Sequence, residues 1–246
     1  GLQTVGADRA AAQRPPHRLA LAHVLLDDGE HDGVDEEEIE LIDEPQKEGE
    51  SRKETGYTDD EVDEAEADAS AIVLAGRPGS FCAGFDLATM TSGDMEAIRA
   101  LGLGGGRIAH RLYGIGKPLL AACTGHAFTI GAFWLLACDT RIGERGKFKF
   151  GFNETQMGMV LGLWSIELLK ARINPMLYLP TVAQAKIYDP DGAVTAGLLD
   201  SVVDEGEAIS AAMDAAAQLA QMPGNAYAGN KLAVRQTALQ IMAADL

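Results

Sequence analysis

The apolar positions of this chain fall into runs of two kinds. "AIVLAG" (71–76) and "KPLLAACTG" (117–125) are short, nearly uncharged and rich in Ile, Val, Leu, Ala and Cys. Runs of that length and composition predict strands buried on both faces. "RLALAHVLLDDG" (18–29) reads as a strand followed by a turn, and "TRIGE", "KFKFGF" and "LLDSVVD" (198–204) as further short strands. Between them lie stretches of helical length: 94–116 with a Gly-rich break, "TIGAFWLLACD" (129–139), 163–172, 181–187, the Ala-rich "EAISAAMDAAAQLAQMP" (207–223), and "NAYAGNKLAVRQTALQIMAADL" to the end. Strands alternating with helices predict an α/β fold with much parallel pairing. No internal repeat is visible.

The region before residue 71 has a different character. Residues 1–18 read as an irregular leader. "DEEEIELIDE" (35–44) reads as a helix, with Asp35 as N-cap and Glu38 at the capping-box position. Residues 45–60 are polar, with one Pro and two Gly, and read as loop or disorder. "EVDEAEADAS" returns to helix. Charge sharpens the contrast. Residues 27–68 hold 21 of the 37 acids and three of the 20 Lys and Arg, a net −18, while the remainder carries +1. The formal charge of −17 therefore belongs to one stretch. An acidic belt disfavours nucleic acid there and leaves the rest free to meet an anionic ligand.

The other totals set bounds. A chain of 246 residues with 47% hydrophobic content suffices for one large domain or two small ones. No apolar run is long enough to span a bilayer. The start lacks the apolar stretch of a signal peptide, and three cysteines (Cys82, Cys123, Cys138) are an odd number in apolar surroundings. These features predict reduced thiols in a cytoplasmic protein with no membrane partner.

Three places offer chemistry. In "AIVLAGRPGSFCAGFDL" a buried strand runs into a Gly-rich turn, which sets bare backbone N–H groups at a strand's carboxyl end, where ligands sit in α/β proteins. "LLAACTGHAFTIGAFWLLACD" repeats the arrangement and adds a helix N-terminus with unpaired N–H groups. Two such donors aimed at one point form an oxyanion hole. The third place is "KFKFGFNETQMGMVLG" (147–162), where one carboxylate, Glu154, stands among Phe, Met, Gly, Val and Leu. A carboxylate in such company is costly unless it is paired, protonated or working.

Other residues have plainer readings. "GLGGG" (102–106) lacks the spacing of a dinucleotide fingerprint. His110 and His126 have no partners at metal-ligand spacing, so no metal site is expected. Asp86 reads as a turn or N-cap acid, and Asp139 as a structural acid paired with the Thr-Arg that follows it. The cysteines read as small core residues, and Trp134 and Trp164 as core or subunit-contact aromatics.

Taken together, "IVLAGRPGSFCAGFDL", "KPLLAACTGHAFTIGAFWLLACDTRIG", "KFGFNETQMGM" and "DPDGAVTAGLLDSVVD" (189–204) resemble, in order and spacing, the core of the crotonase superfamily, the enoyl-CoA hydratase/isomerase family. The resemblance covers about residues 71–235. It implies an α/β crotonase-like (ClpP/crotonase) spiral of β-β-α units with a C-terminal helical segment. It further implies an acyl-CoA thioester substrate, an enolate held by the backbone N–H groups of Phe85 and Ile130, and no metal or redox cofactor. Ala83, Gly84, Asp86, Leu87, Gly131 and Phe133 are expected around the substrate, with Arg77 and Lys231 as bases facing the CoA phosphates. A position that often carries Lys in the family is Ala88 here.

The family's hydratases use two glutamates that hold a water between them. One of those positions is Glu154, and the other is Phe133. A single acid can still move a proton between carbons, and "NETQ" is similar to the context of the catalytic glutamate in the 3-enoyl-CoA to 2-enoyl-CoA isomerase branch. Double-bond isomerisation with Glu154 as acid and base is therefore the expected activity. Hydration, a non-catalytic acyl-CoA-binding role, and another enolate reaction such as decarboxylation or thioester hydrolysis are the alternatives. The expected organisation is a leader (1–18), a crotonase core (19–206) with an acidic insertion or disordered loop at 45–62, and a C-terminal helical segment (207–246) that builds a homotrimer or hexamer.

Overall fold

The computed structural model describes residues 19–23, 66 and 69–246. The expected leader (1–18), the helix at 35–44, the loop or insertion at 45–62 and most of the helix at 61–70 lie outside the described residues.

Five parallel strands form the main sheet in the order β1-β2-β4-β6-β8. They are β1 (Leu19–His23), β2 (Ala71–Ala75), β4 (Leu119–Cys123), β6 (Thr140–Glu144) and β8 (Ser201–Val203). β2 and β4 are buried at every residue, as their unbroken apolar runs require. The period of two sorts their side chains between two cores. Ala71, Val73, Ala75, Leu120 and Ala122 face the helix α7 (Ala208–Leu219), which meets them with Ala208, Ala212 and Ala216. The small alanines let this helix sit close to the sheet. Ile72, Leu74, Leu119, Ala121 and Cys123 face the larger core, with the helices α2 (Met95–Gly114), α3 (Ile130–Ala137) and α4 (Leu163–Arg172).

A second, three-stranded parallel sheet has the order β3-β5-β7. It consists of β3 (Gly79–Cys82), β5 (Gly125–Phe128) and β7 (Phe150–Gly151). This sheet corrects the sequence reading, which placed Gly-rich turns over 79–82 and 125–128 and a longer strand over 147–152. The strands are two to four residues long, too short to show a period. They pair because the backbones come very close: a Cβ on Gly125 would lie 1.9 Å from the Gly79 carbonyl carbon.

Two helices also differ from expectation. α2 runs unbroken through "GLGGG". Asp94 caps it, accepting from Glu96 N at 3.0 Å and Ala97 N at 3.1 Å. Gly105 and Gly106 are packing devices. A Cβ on Gly105 would lie 2.7 Å from Ile130 Cδ1 and 2.9 Å from Phe85 Cε1, while Gly102 and Gly104 face open space. The helix expected at 181–187 lies earlier. After the short helix α1 (Leu87–Thr91) and those above comes a 3₁₀ turn (Pro175–Leu177) and then α5 (Tyr178–Val182). Ala185 adopts φ 49°, a left-handed conformation that a helix does not continue through.

α6 (Pro190–Ala196) leads to β8, and α8 (Gly224–Asp245) closes the chain against α4 and α2. One acid anchors α8. Asp139 Oδ2 accepts from Lys231 Nζ, Tyr227 Oη and Leu119 N, at 2.8, 2.8 and 2.9 Å. Arg235 Nη2 lies 2.7 Å from Oδ1 as an ion pair. Asp139 is thus structural, as expected, but its partners come from α8. The adjacent Arg141 pairs with Asp200 instead, Nη2 to Oδ1 at 2.5 Å.

Two outcomes follow from this packing. Gly104→Ala is expected to stabilise the protein by up to ~1 kcal/mol, whereas Gly105→Ala is expected to destabilise it by displacing Ile130 and Phe85; urea unfolding of the two variants checks the contrast. Asp139→Asn leaves Lys231 and Arg235 buried without a countercharge and is expected to cost about 3–5 kcal/mol in the same measurement.

Candidate active site

The carboxyl ends of β3, β5 and β7 lie side by side, because the three strands are parallel neighbours. Beyond β3 the chain passes Ala83, which is exposed, and Gly84, which is buried at φ +123°. Phe85 follows, half-buried, and Asp86 then caps α1. Asp86 Oδ2 accepts from Thr89 Oγ1 and Thr89 N, both at 2.7 Å, and these bonds hold its carboxyl below the usual range. Asp86 is therefore an N-cap, as its sequence context predicts. Leu87 is the first residue of α1.

Beyond β5, Thr129 turns the chain at φ 48° and ψ −118°, and Ile130 opens α3. As the first residue of a helix, Ile130 has an N–H with no partner one turn earlier. All eight residues of α3 are buried, so its N-terminal dipole acts in a poorly screened setting. Gly131 brings the two turns together. A Cβ there would lie 2.3 Å from the Cys82 carbonyl oxygen, so any side chain would push α3 off the end of β3. The Phe85 and Ile130 side chains then meet over Gly105.

β7 delivers the acid. The Gly151 carbonyl accepts from Thr129 N at 3.1 Å, which ties β7 to the second turn, and Glu154 follows three residues later. The Glu154 carbonyl accepts from Met157 N at 3.0 Å and Met159 N at 2.9 Å, which fixes the bend that holds it. The residue is 7% exposed, and its Oε2 is buried with no hydrogen-bond partner. Burial pushes its pKa up, and no nearby cation opposes the shift. Asn153 Oδ1 and Thr129 Oγ1 are likewise buried and unpartnered. Neither residue stands out in the sequence. The only signal for them there is position, one residue before Glu154 and one before Ile130.

Phe133, on α3, is buried, with its ring centroid 4.5 Å from that of Phe152 and 5.0 Å from that of Trp164. Phe152 lies two residues before Glu154, so this aromatic cluster adjoins the acid on the chain. The remaining expected residues sort differently. Arg77 is exposed in the β2–β3 connection. Lys231, expected to face a phosphate, makes its bonds within the fold. Its side chain is 7% exposed, and its ammonium donates to Asp139 Oδ2 and to the Lys117 carbonyl, both at 2.8 Å, so two of its three N–H donors are committed inside the fold.

Cys82, Cys123 and Cys138 are buried and not disulfide-bonded. Burial pushes the Cys138 thiol up to about 12, which makes it an inert core residue. Trp134 is fully buried, and its Nε1 donates to the Gly105 carbonyl at 3.1 Å. A groove of about 480 Å³ lies beside β5 and β7, lined in part by Phe128, Lys147, Lys149 and Tyr188, and holds none of the expected site residues.

Comparison with known proteins identifies the family and the fold. The family model described as Enoyl-CoA hydratase/isomerase matches residues 60–244. Enoyl-CoA delta isomerase 1, mitochondrial, from Homo sapiens is 30% identical over 173 residues, which cover 67% of this chain and 55% of that protein. Short-chain-enoyl-CoA hydratase from Clostridium acetobutylicum is 28% identical over 165 residues, covering 67% of this chain and 62% of that one. This chain thus spans less than two thirds of either relative. Among solved structures, an enoyl-CoA hydratase/isomerase family protein from Pseudomonas syringae superposes with a TM-score of 0.72 at 39% identity, covering 75% of this chain and 80% of that one. The α/β architecture with parallel sheets is the crotonase fold, and the chain belongs to the enoyl-CoA hydratase/isomerase family of the crotonase superfamily.

Proposed function

We propose that this protein isomerises the double bond of an enoyl-CoA thioester, moving it from the 3 to the 2 position with one carboxylate. The observation that carries this reading is the buried carboxyl group of Glu154, whose Oε2 has no hydrogen-bond partner; the family resemblance assigns the place of a second acid to Phe133, whose ring packs against Phe152. In this reading the thioester oxygen lies between the N–H groups of Phe85 and Ile130. Glu154 removes a proton from carbon 2, and negative charge spreads onto the thioester oxygen. The two amides stabilise that charge, each by about 3 kcal/mol on the scale of single oxyanion donors. The same carboxyl then returns the proton to carbon 4. A raised pKa suits both halves of the task, because a carboxyl less acidic than usual is a stronger base toward carbon 2 and still returns the proton to carbon 4.

Ala83, Gly84, Asp86, Leu87 and Gly131 surround the acyl group in this proposal, and Arg77 is the base left to meet the CoA phosphates. The substrate supplies the CoA, and no metal or redox cofactor takes part. Assembly into a trimer or hexamer is a further part of the proposal. It is supported by the exposed apolar side chains Val160, Leu163, Met176, Leu179 and Val234, which an interface would cover. Among the described residues no helix is long and apolar enough to cross a membrane.

Hydration is the second reading, favoured by the likeness to a hydratase at 28% identity. It requires a water activated by Glu154 alone, beside an aromatic wall that gives water no second partner. A product screen separates the two. The wild type is expected to convert trans-3-hexenoyl-CoA to the 2-enoyl product at least 100-fold faster than it hydrates trans-2-hexenoyl-CoA, and Glu154→Gln to lower isomerisation by about 10²–10⁴-fold. A faster hydration rate would reverse the assignment.

The pKa shift has its own consequence for stability. Folding raises the Glu154 pKa above its unfolded value, so this group's contribution is fully present below the unfolded pKa and is lost as pH rises through the folded one. Glu154→Gln is therefore expected to raise the melting temperature at pH 8, with a gain that shrinks toward pH 4. Equal gains at both pH values in thermal melts would contradict a buried, ionising Glu154.

A further inference from the structure

Two costly features coincide at Thr129. Its backbone lies at φ 48° and ψ −118°. That region belongs to glycine at the first corner of tight turns, and a β-branched residue there is an outlier. Its hydroxyl oxygen is buried and has no hydrogen-bond partner. Either feature alone disfavours Thr, and a glycine would remove both. A side chain kept at this cost points to a use outside the free protein, since strain of this kind gathers where a ligand is held.

The position of the hydroxyl narrows that use. Thr129 immediately precedes Ile130, and its Oγ1 lies 2.7 Å from where a Cβ on Gly84 would stand. Gly84 immediately precedes Phe85. The hydroxyl therefore sits between the residues that lead into the two amides assigned to the thioester oxygen. Oγ1 carries a proton to donate, and among the described residues nothing receives it. The group that would receive it is an anionic oxygen formed between the turns.

We propose that Thr129 is a catalytic residue whose hydroxyl donates a third hydrogen bond to the thioester oxygen of an acyl-CoA as negative charge collects on it, with the strained backbone aiming the group. This rests on the isomerase reading above for the turnover it affects, but not for the binding of an enolate-like thioester. No bond is made or broken at Thr129; its proton stays on Oγ1 throughout.

The test uses Thr129→Val, which keeps the shape and removes the donor, Thr129→Ser, which keeps the donor, and Thr129→Gly, which removes both donor and strain. With trans-3-hexenoyl-CoA, the Val variant is expected to lose about 100-fold in kcat, with KM within about threefold of wild type, and the Ser variant to stay within about threefold of wild-type kcat. The Gly variant is expected to melt at higher temperature than wild type and to lose kcat as the Val variant does. Isothermal titration adds a readout independent of turnover. Acetoacetyl-CoA, an enolisable thioester, is expected to bind Thr129→Val about tenfold more weakly than wild type, while CoA binds both within about twofold. Wild-type kcat in the Val or Gly variant, a Ser variant as impaired as Val, or unchanged acetoacetyl-CoA affinity overturns the proposal. A wild type inert on 3-enoyl-CoA, or a Glu154→Gln variant at wild-type rate, overturns the isomerase reading instead. The titration then still decides the role of Thr129.

Discussion

The start of α3 presses against the carbonyl oxygen that ends β3, with no side chain between them, and the site depends on that contact. A Cβ on Gly131 would lie 2.3 Å from the Cys82 oxygen, well inside any tolerable approach. Because the contact is backbone on backbone, it fixes two turns from distant parts of the chain relative to each other with little freedom. The second sheet exists to create it. Its strands are short and add little burial of their own, but they are parallel neighbours, so their carboxyl ends arrive together. One end brings Gly84 and Phe85, the next Thr129 and Ile130, and the third Glu154. Two amide-bearing turns and an acid are what proton transfer beside a thioester needs.

Around that contact the molecule manages charge by burial. Glu154 is held from water without a countercharge, which raises its pKa. Asp139 is also buried but receives Lys231, Arg235 and Tyr227, and it anchors the C-terminal helix. The two acids show opposite uses of one cost. Charged partners let a buried carboxylate stay ionised as a structural anchor, and their absence favours its protonated form. The rings of Phe133, Phe152 and Trp164 pack together on the chain segment that leads to Glu154 and on the helices beside it.

Much of the main sheet was legible in the chain. The strands at 71–75 and 119–123 are apolar at every position because both faces are covered, whereas a strand with one wet face would alternate with polar residues. The second sheet was not legible. Gly79–Cys82 and Gly125–Phe128 look like turns because glycine is where turns are expected, and the close strand approach that accounts for those glycines arises only when the two segments meet in space. The same holds for "GLGGG", which reads as a helix break until Phe85 and Ile130 are seen packed on Gly105. Lys231 looked like a free base because a sequence does not show that Asp139, 92 residues away, has already taken it.

Sequence alone carried the choice of acid and its company: one glutamate among apolar residues, a phenylalanine at Phe133, and two strands running into glycine turns. Those are matters of residue identity and short spacing, which the chain states directly. Tertiary structure alone decided that the two turns face one another, that Glu154 Oε2 is buried without a partner, and that Thr129 is held at φ 48° with an idle hydroxyl. Burial, orphaned polar atoms and backbone strain arise from what other parts of the chain do nearby, and no local pattern of residues encodes them.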